Sequence, residues 1–167
     1  MITVLVLLKL IQPPVDPTVE LLPEAMITID WDGFSDVDTH LLYKGLHLSY
    51  VDKDIGIATL ARDDVGITRR ADGKLPRRHE ITEIHELRDG TYKFAVRMYR
   101  LSKDATGPVD VNIRFETTRP YVDYYNSSIT LTYHKQTIAV FTIEVEDGKI
   151  MSIGKNPEFK LHTGNFQ

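Results

Sequence analysis

An all-β chain folded as an antiparallel β-sandwich, jelly-roll or immunoglobulin-like, is what this 167-residue sequence predicts. Three observations lead there. Short segments alternate apolar and polar residues with a period of two, as strands with one buried face do. Turn-forming pairs, Lys44-Gly45, Asp89-Gly90 and Asp147-Gly148, stand between them. No window carries the apolar spacing of an amphipathic helix, and residues 19–25 are long enough for one turn only. Many short strands separated by turns pack as a sandwich, with closure into a barrel as the alternative.

The elements follow in order. Residues 1–11 (MITVLVLLKLI) are apolar apart from Lys9 and Thr3. A membrane-spanning helix needs about 20 apolar residues, and a signal peptide needs its basic residues first, so neither is expected. Four prolines between 13 and 23 form a semi-rigid spacer. Residues 1–25 are thus an extended arm, pairing either with its own domain or with a neighbour. An uncovered strand this apolar would aggregate, so it should be buried.

Strands are expected over 26–31, 40–43, 46–51, 55–61, 79–87 and 91–101. In the last of these Tyr92, Phe94, Val96 and Met98 share one face. The clearest strand is 109–117, where Val109, Val111, Ile113 and Phe115 alternate with Asp110, Asn112, Arg114 and Glu116. Ile129, Leu131 and Tyr133 repeat the pattern, and 137–146 and 149–153 follow. The domain therefore runs over 26–153, and 154–167 form a tail.

Composition narrows the function. With 42% hydrophobic and 26% charged residues the chain is no disordered segment. The lack of cysteine excludes disulfides and thiolate-ligated metals. A net charge of −4 argues against a nonspecific nucleic-acid binder. No G-x-S-x-G elbow or phosphate-binding loop is present.

Four groups of residues could carry a function. Asp30, Asp32, Asp36 and Asp38, with Asp63 and Asp64, offer oxygens of the kind calcium takes, though the spacing is not that of an EF-hand. The competing explanation is that these aspartates form turns. Asp38 and His40, two apart on a strand, share a face and can form a structural hydrogen-bonded pair. His47, His79 and His85 lack zinc-site spacing. Six of the twenty basic residues fall between 62 and 79, among them Arg69, Arg70, Arg77 and Arg78, forming either a solvated loop or a docking loop for an acidic partner. Tyr121, Tyr124 and Tyr125 lie in an expected loop, suited to a protein or sugar interface or to covering one end of the sandwich. An enzyme would require Asp38, His40 and Glu80 to converge in a cleft.

Residues 27–145 carry a recognisable series: Trp31 closing a strand, Asp36-x-Asp38-x-His40 on the next, then Tyr50, Asp63, Asp64 and Glu80, and finally Gly90-Thr91-Tyr92 opening a long strand. This series resembles the YfaP-like family of domains of unknown function. Thr39 stands where that family has Leu, and the 65–78 loop is basic where the family has Gly-Pro-Glu. The resemblance implies a small β-sandwich of secreted, surface or virion proteins, without catalysis.

The function expected is therefore a non-enzymatic structural or assembly protein. A phage virion component, such as a tail, baseplate, collar or capsid-decorating protein, is the specific expectation. It would dock through arm residues Ile2, Val4, Val6 and Leu8, through Arg69, Arg70, Arg77 and Arg78, and through the three tyrosines. Its partners would be copies of itself and other structural proteins, with no nucleic acid and no membrane span. No cofactor is expected except calcium. The alternative is a calcium-dependent or glycan- or protein-binding module at a bacterial surface or in the periplasm.

Overall fold

The computed structural model describes residues 22–66, 74–101, 108–155, 157–159 and 161. Arm residues Ile2, Val4, Val6 and Leu8, together with Arg69 and Arg70, lie outside them. Ten strands form two antiparallel five-stranded sheets packed face to face, and no helix is present among the described residues. The strands are β1 (Ala25–Asp32), β2 (Asp36–Tyr43), β3 (Leu46–Leu48), β4 (Ala58–Arg62) and β5 (Arg77–Ile84), then β6 (Gly90–Arg100), β7 (Val109–Thr118), β8 (Tyr121–Leu131), β9 (Thr137–Glu146) and β10 (Lys149–Lys155). One sheet has the order β4-β5-β1-β7-β8, the other β10-β9-β6-β2-β3.

The period-two strands behave as their sequences require. In β7, Val109, Val111, Ile113 and Phe115 are buried and the residues between them face outward. β1 buries Ala25, Ile27, Ile29 and Trp31 on the same inner face. Opposite them the inner face of β6 presents Tyr92, Phe94, Val96 and Met98, all fully buried. The two layers meet at Phe141 of β9. Its ring lies 4.9 Å from Phe94, 5.6 Å from Phe115 and 4.9 Å from Tyr125, so it touches both sheets.

Lys44-Gly45 and Asp147-Gly148 make tight hairpin turns, with all four residues at positive φ. Asp89-Gly90 does something different. It carries the chain from β5 in one sheet to β6 in the other, so the two strands do not pair.

Two segments differ from their sequence-based reading. β2 begins at Asp36, not His40, so the strand takes in residues 36–39 that the 40–43 expectation left out. The tyrosine segment is no loop: it is the first half of β8. β2 hides from a periodicity reading because seven of its eight residues are buried, so both faces are covered. β8 hides for the opposite reason. It is an edge strand, and seven of its eleven residues are exposed.

Candidate functional site

The site grows from a mismatch in strand length. β3 pairs only with Leu41–Tyr43 of β2, which leaves residues 36–40 without a strand on that side. A backbone donor exposed there must find another acceptor or lose about 1–3 kcal/mol. Glu80 supplies it. The N–H of Thr39 donates to Glu80 Oε2 at 2.9 Å, and the Thr39 and Thr82 hydroxyls lie 3.4 Å apart. In β5 the inward positions are Arg78, Glu80, Thr82 and Ile84, so this strand turns mainly polar residues into the sandwich.

Carboxylates gather around that contact. Asp38 from β2, Glu80 from β5 and Asp63 from the segment after β4 each bring an oxygen within 4.8 Å of the others. Glu80 is 0% exposed and Asp38 4%. Asp38 Oδ2, Glu80 Oε1 and Asp36 Oδ1 are buried with no hydrogen-bond partner. Burial pushes the Asp38 carboxyl up to about 7; the charges of Asp36 and Asp63 add to this and Arg97 opposes it. Burial likewise raises Asp36 to about 6 against the pull of Arg100, and drives Glu80 well above the usual carboxylate range.

Of the surrounding cations, Arg97 pulls on Asp38 without an ion pair and keeps its buried Nε unpartnered, while the others are engaged elsewhere or at the rim. Lys53 reaches Asp63 at 2.8 Å, Arg78 pairs with Asp64 at 2.6 Å, and Arg100 lies 3.5 Å from Asp36. Gly66 closes this segment at φ +71, and a Cβ there would sit 2.9 Å from Ser35 O. Gly66→Ala is expected to cost about 1–3 kcal/mol from the backbone conformation and the clash together, read as a lower urea midpoint.

Several sequence expectations need correction. The six aspartates do not form one set. Asp30 and Asp32 lie on the outer face of β1, where Asp30 is held by Arg77 at 2.6 Å. Asp36, Asp38, Asp63 and Asp64 gather on the other side, and Glu80 completes the group. Nor do Asp38 and His40 pair. His40 Nδ1 meets His47 Nε2 at 2.9 Å, and burial, with His47 and Arg97 adding to it, lowers His40 to about 3.

Arg78 is 4% exposed and donates to Gly33 O, which bars it from docking a partner; Arg77 remains at the surface. Of the tyrosines, Tyr125 is buried against Phe141 and Tyr124 is half-buried beside Phe115. Only Tyr121 stands out, 64% exposed. Glu80 stood in the sequence only as a partner Asp38 and His40 would need in an enzyme and as one of the family-like series; its place beside the aspartates needs the strand register to be known.

The fold and the site together define a class: a two-sheet β-sandwich with a buried carboxylate cluster bridging its layers. Compared with known proteins, the chain matches no family model, no curated protein and no solved structure. No helix among the described residues is long and apolar enough to cross a membrane.

Proposed function

We propose that the chain is a non-enzymatic assembly module, of the kind that builds a virion, in which the arm at residues 1–11 of one copy pairs along the free edge of β8 in another. The observation that carries this reading is the character of that edge. A sheet edge offers unpaired backbone groups to any passing strand, and proteins blunt it by shortness, charge, proline or bulges. β3 is three residues long, and β4 is five residues with a bulge and Arg62. β10 has a bulge and is flanked by Lys149 and Lys155. β8 runs for eleven residues with one charge, Asp123, and neither lysine nor proline, and its one bulge, at Tyr124, lies in its first half. From Tyr125 to Leu131 its register with β7 is unbroken.

The arm suits such an edge. Residues 1–11 alternate poorly but are rich in Val, Ile and Leu, and the proline spacer gives them reach. The described chain starts at Leu22 beside the start of β8: Thr118 N–H donates to Glu24 O at 2.9 Å, and Tyr121 opens β8 just after. Strand addition of this kind gains main-chain hydrogen bonds without a preformed pocket. The buried carboxylates favour no substrate chemistry, because Glu80 has no exposed surface for an organic molecule to reach.

Light scattering after size exclusion tests the proposal. The intact chain should elute as an oligomer, and a version lacking residues 1–21 as a folded monomer. Ser127 and Ser128 direct their N–H groups to opposite sides of the strand. Proline at the one facing away from β7 should also give a monomer. A monomeric intact chain, or an oligomer that survives both changes, would sink the idea.

A further inference from the structure

The carboxylates at the β2–β5 contact sit as the ligands of a metal ion would. Calcium binds oxygens at about 2.3–2.6 Å, so two ligands on opposite sides of it lie about 5 Å apart. One oxygen each from Asp38, Asp63 and Glu80 falls inside that limit, all within 4.8 Å of one another. A second, independent observation points to a ligand. Glu80 is completely buried, one oxygen is fixed by the Thr39 N–H, and the other, Oε1, has no partner. Asp38 Oδ2 is in the same condition.

No lysine or arginine among the described residues forms an ion pair with Asp38 or Glu80. Lys53 touches only Asp63, with a side chain 53% exposed, and can swing into solvent at little cost. Buried carboxylates at this spacing repel unless something positive, a proton or a cation, lies between them.

We propose that Asp38, Asp63 and Glu80 bind a divalent cation of the calcium class. The donor set selects hard ions: every ligand is a carboxylate oxygen and no histidine belongs to the group, His40 meeting His47 through Nδ1. Asp36, two residues along the same strand, adds negative charge at the rim. The ion ties β2 of one sheet, β5 of the other and the segment after β4 into one unit. This role does not depend on the edge pairing proposed above. Asp30 and Asp32, the other acidic residues expected to bind calcium, take no part.

The test uses the intact chain, stripped with a chelator and titrated calorimetrically at pH 7.5 with calcium, magnesium and manganese chlorides in turn. One calcium per chain is expected, with a rise in Tm of about 5 °C or more at saturation. Asp63→Asn lies at the solvent rim, so the variant should fold and lose both the heat and the Tm rise. Asp30→Asn, on the outer face of β1, should keep both. Glu80→Gln is a second probe in the interior; should it fail to fold, Asp63→Asn carries the test alone. The proposal is overturned if none of the three ions gives heat or a Tm shift. It is equally overturned if the calcium response survives Asp63→Asn.

Discussion

Phe141→Ala is expected to lower the stability of the sandwich by about 3–5 kcal/mol, among the largest losses a single core change brings. The ring is 0% exposed and stands where the two sheets meet. Removing it takes a partner from Phe94 in its own sheet and from Phe115 and Tyr125 in the other. A cavity between sheets collapses poorly, because each wall is a hydrogen-bonded layer that moves as a whole. Urea unfolding followed by the fluorescence of Trp31, itself buried at 1% exposure, reads the loss directly. Phe141→Leu should recover most of it, since a branched aliphatic chain refills much of the volume. A loss below about 1 kcal/mol for the alanine variant would show that the sheets do not meet at this ring.

The second large effect is on pH. In the presence of chelator the stability should fall as the pH rises from about 4.5 towards 8, because three raised carboxyls outweigh two lowered imidazoles. The fall belongs to the carboxylates. Asp38, raised from 3.8 to about 7, keeps its proton in the folded chain at a pH where the unfolded chain has lost it. That stabilisation is complete below about pH 4 and disappears as the pH rises through 7. Asp36, raised to about 6, and Glu80, raised further, act in the same direction.

His40 opposes this trend. Burial lowers it from 6.5 to about 3, so the unfolded chain takes up a proton first and the His40 contribution falls as the pH drops below 6.5. His47, lowered by the same cause, adds to that opposition. Between pH 8 and 6.5 the gain should be about 1–3 kcal/mol. Glu80→Gln should flatten the fall, most clearly above pH 6.5, and His40→Gln should steepen it below 6.5. Saturating calcium should abolish the fall, because the ion holds the carboxylates charged. Stability that keeps rising from pH 6.5 to 8 in chelator would contradict the burial of the cluster.

The fold class was open to reading along the chain, because it is written in neighbours. Whether Val109, Val111, Ile113 and Phe115 share a face depends only on the pleat, which turns alternate residues the same way. The hairpin turns at Lys44-Gly45 and Asp147-Gly148 are local for the same reason: the backbone there needs positive φ, which the glycine of each pair reaches at low cost.

The site is another matter. Asp38 stood in the sequence among six aspartates and beside His40, and only the fold singles out Asp63 and Glu80 as its neighbours. Its apparent partner turned instead to His47 across the β2–β3 turn. β2 showed no period because both its faces are covered, and β8 showed little because its side chains face mostly outward at a sheet edge. By itself the sequence determined the strands that have one wet face, and the tight turns. The tertiary structure alone decided that β3 stops short, that Glu80 takes the exposed Thr39 N–H, and that three carboxylates distant in sequence face one another. The physical reason is that side-chain alternation is a property of one strand, whereas convergence depends on which strand lies across which, and that is settled only when the two layers pack.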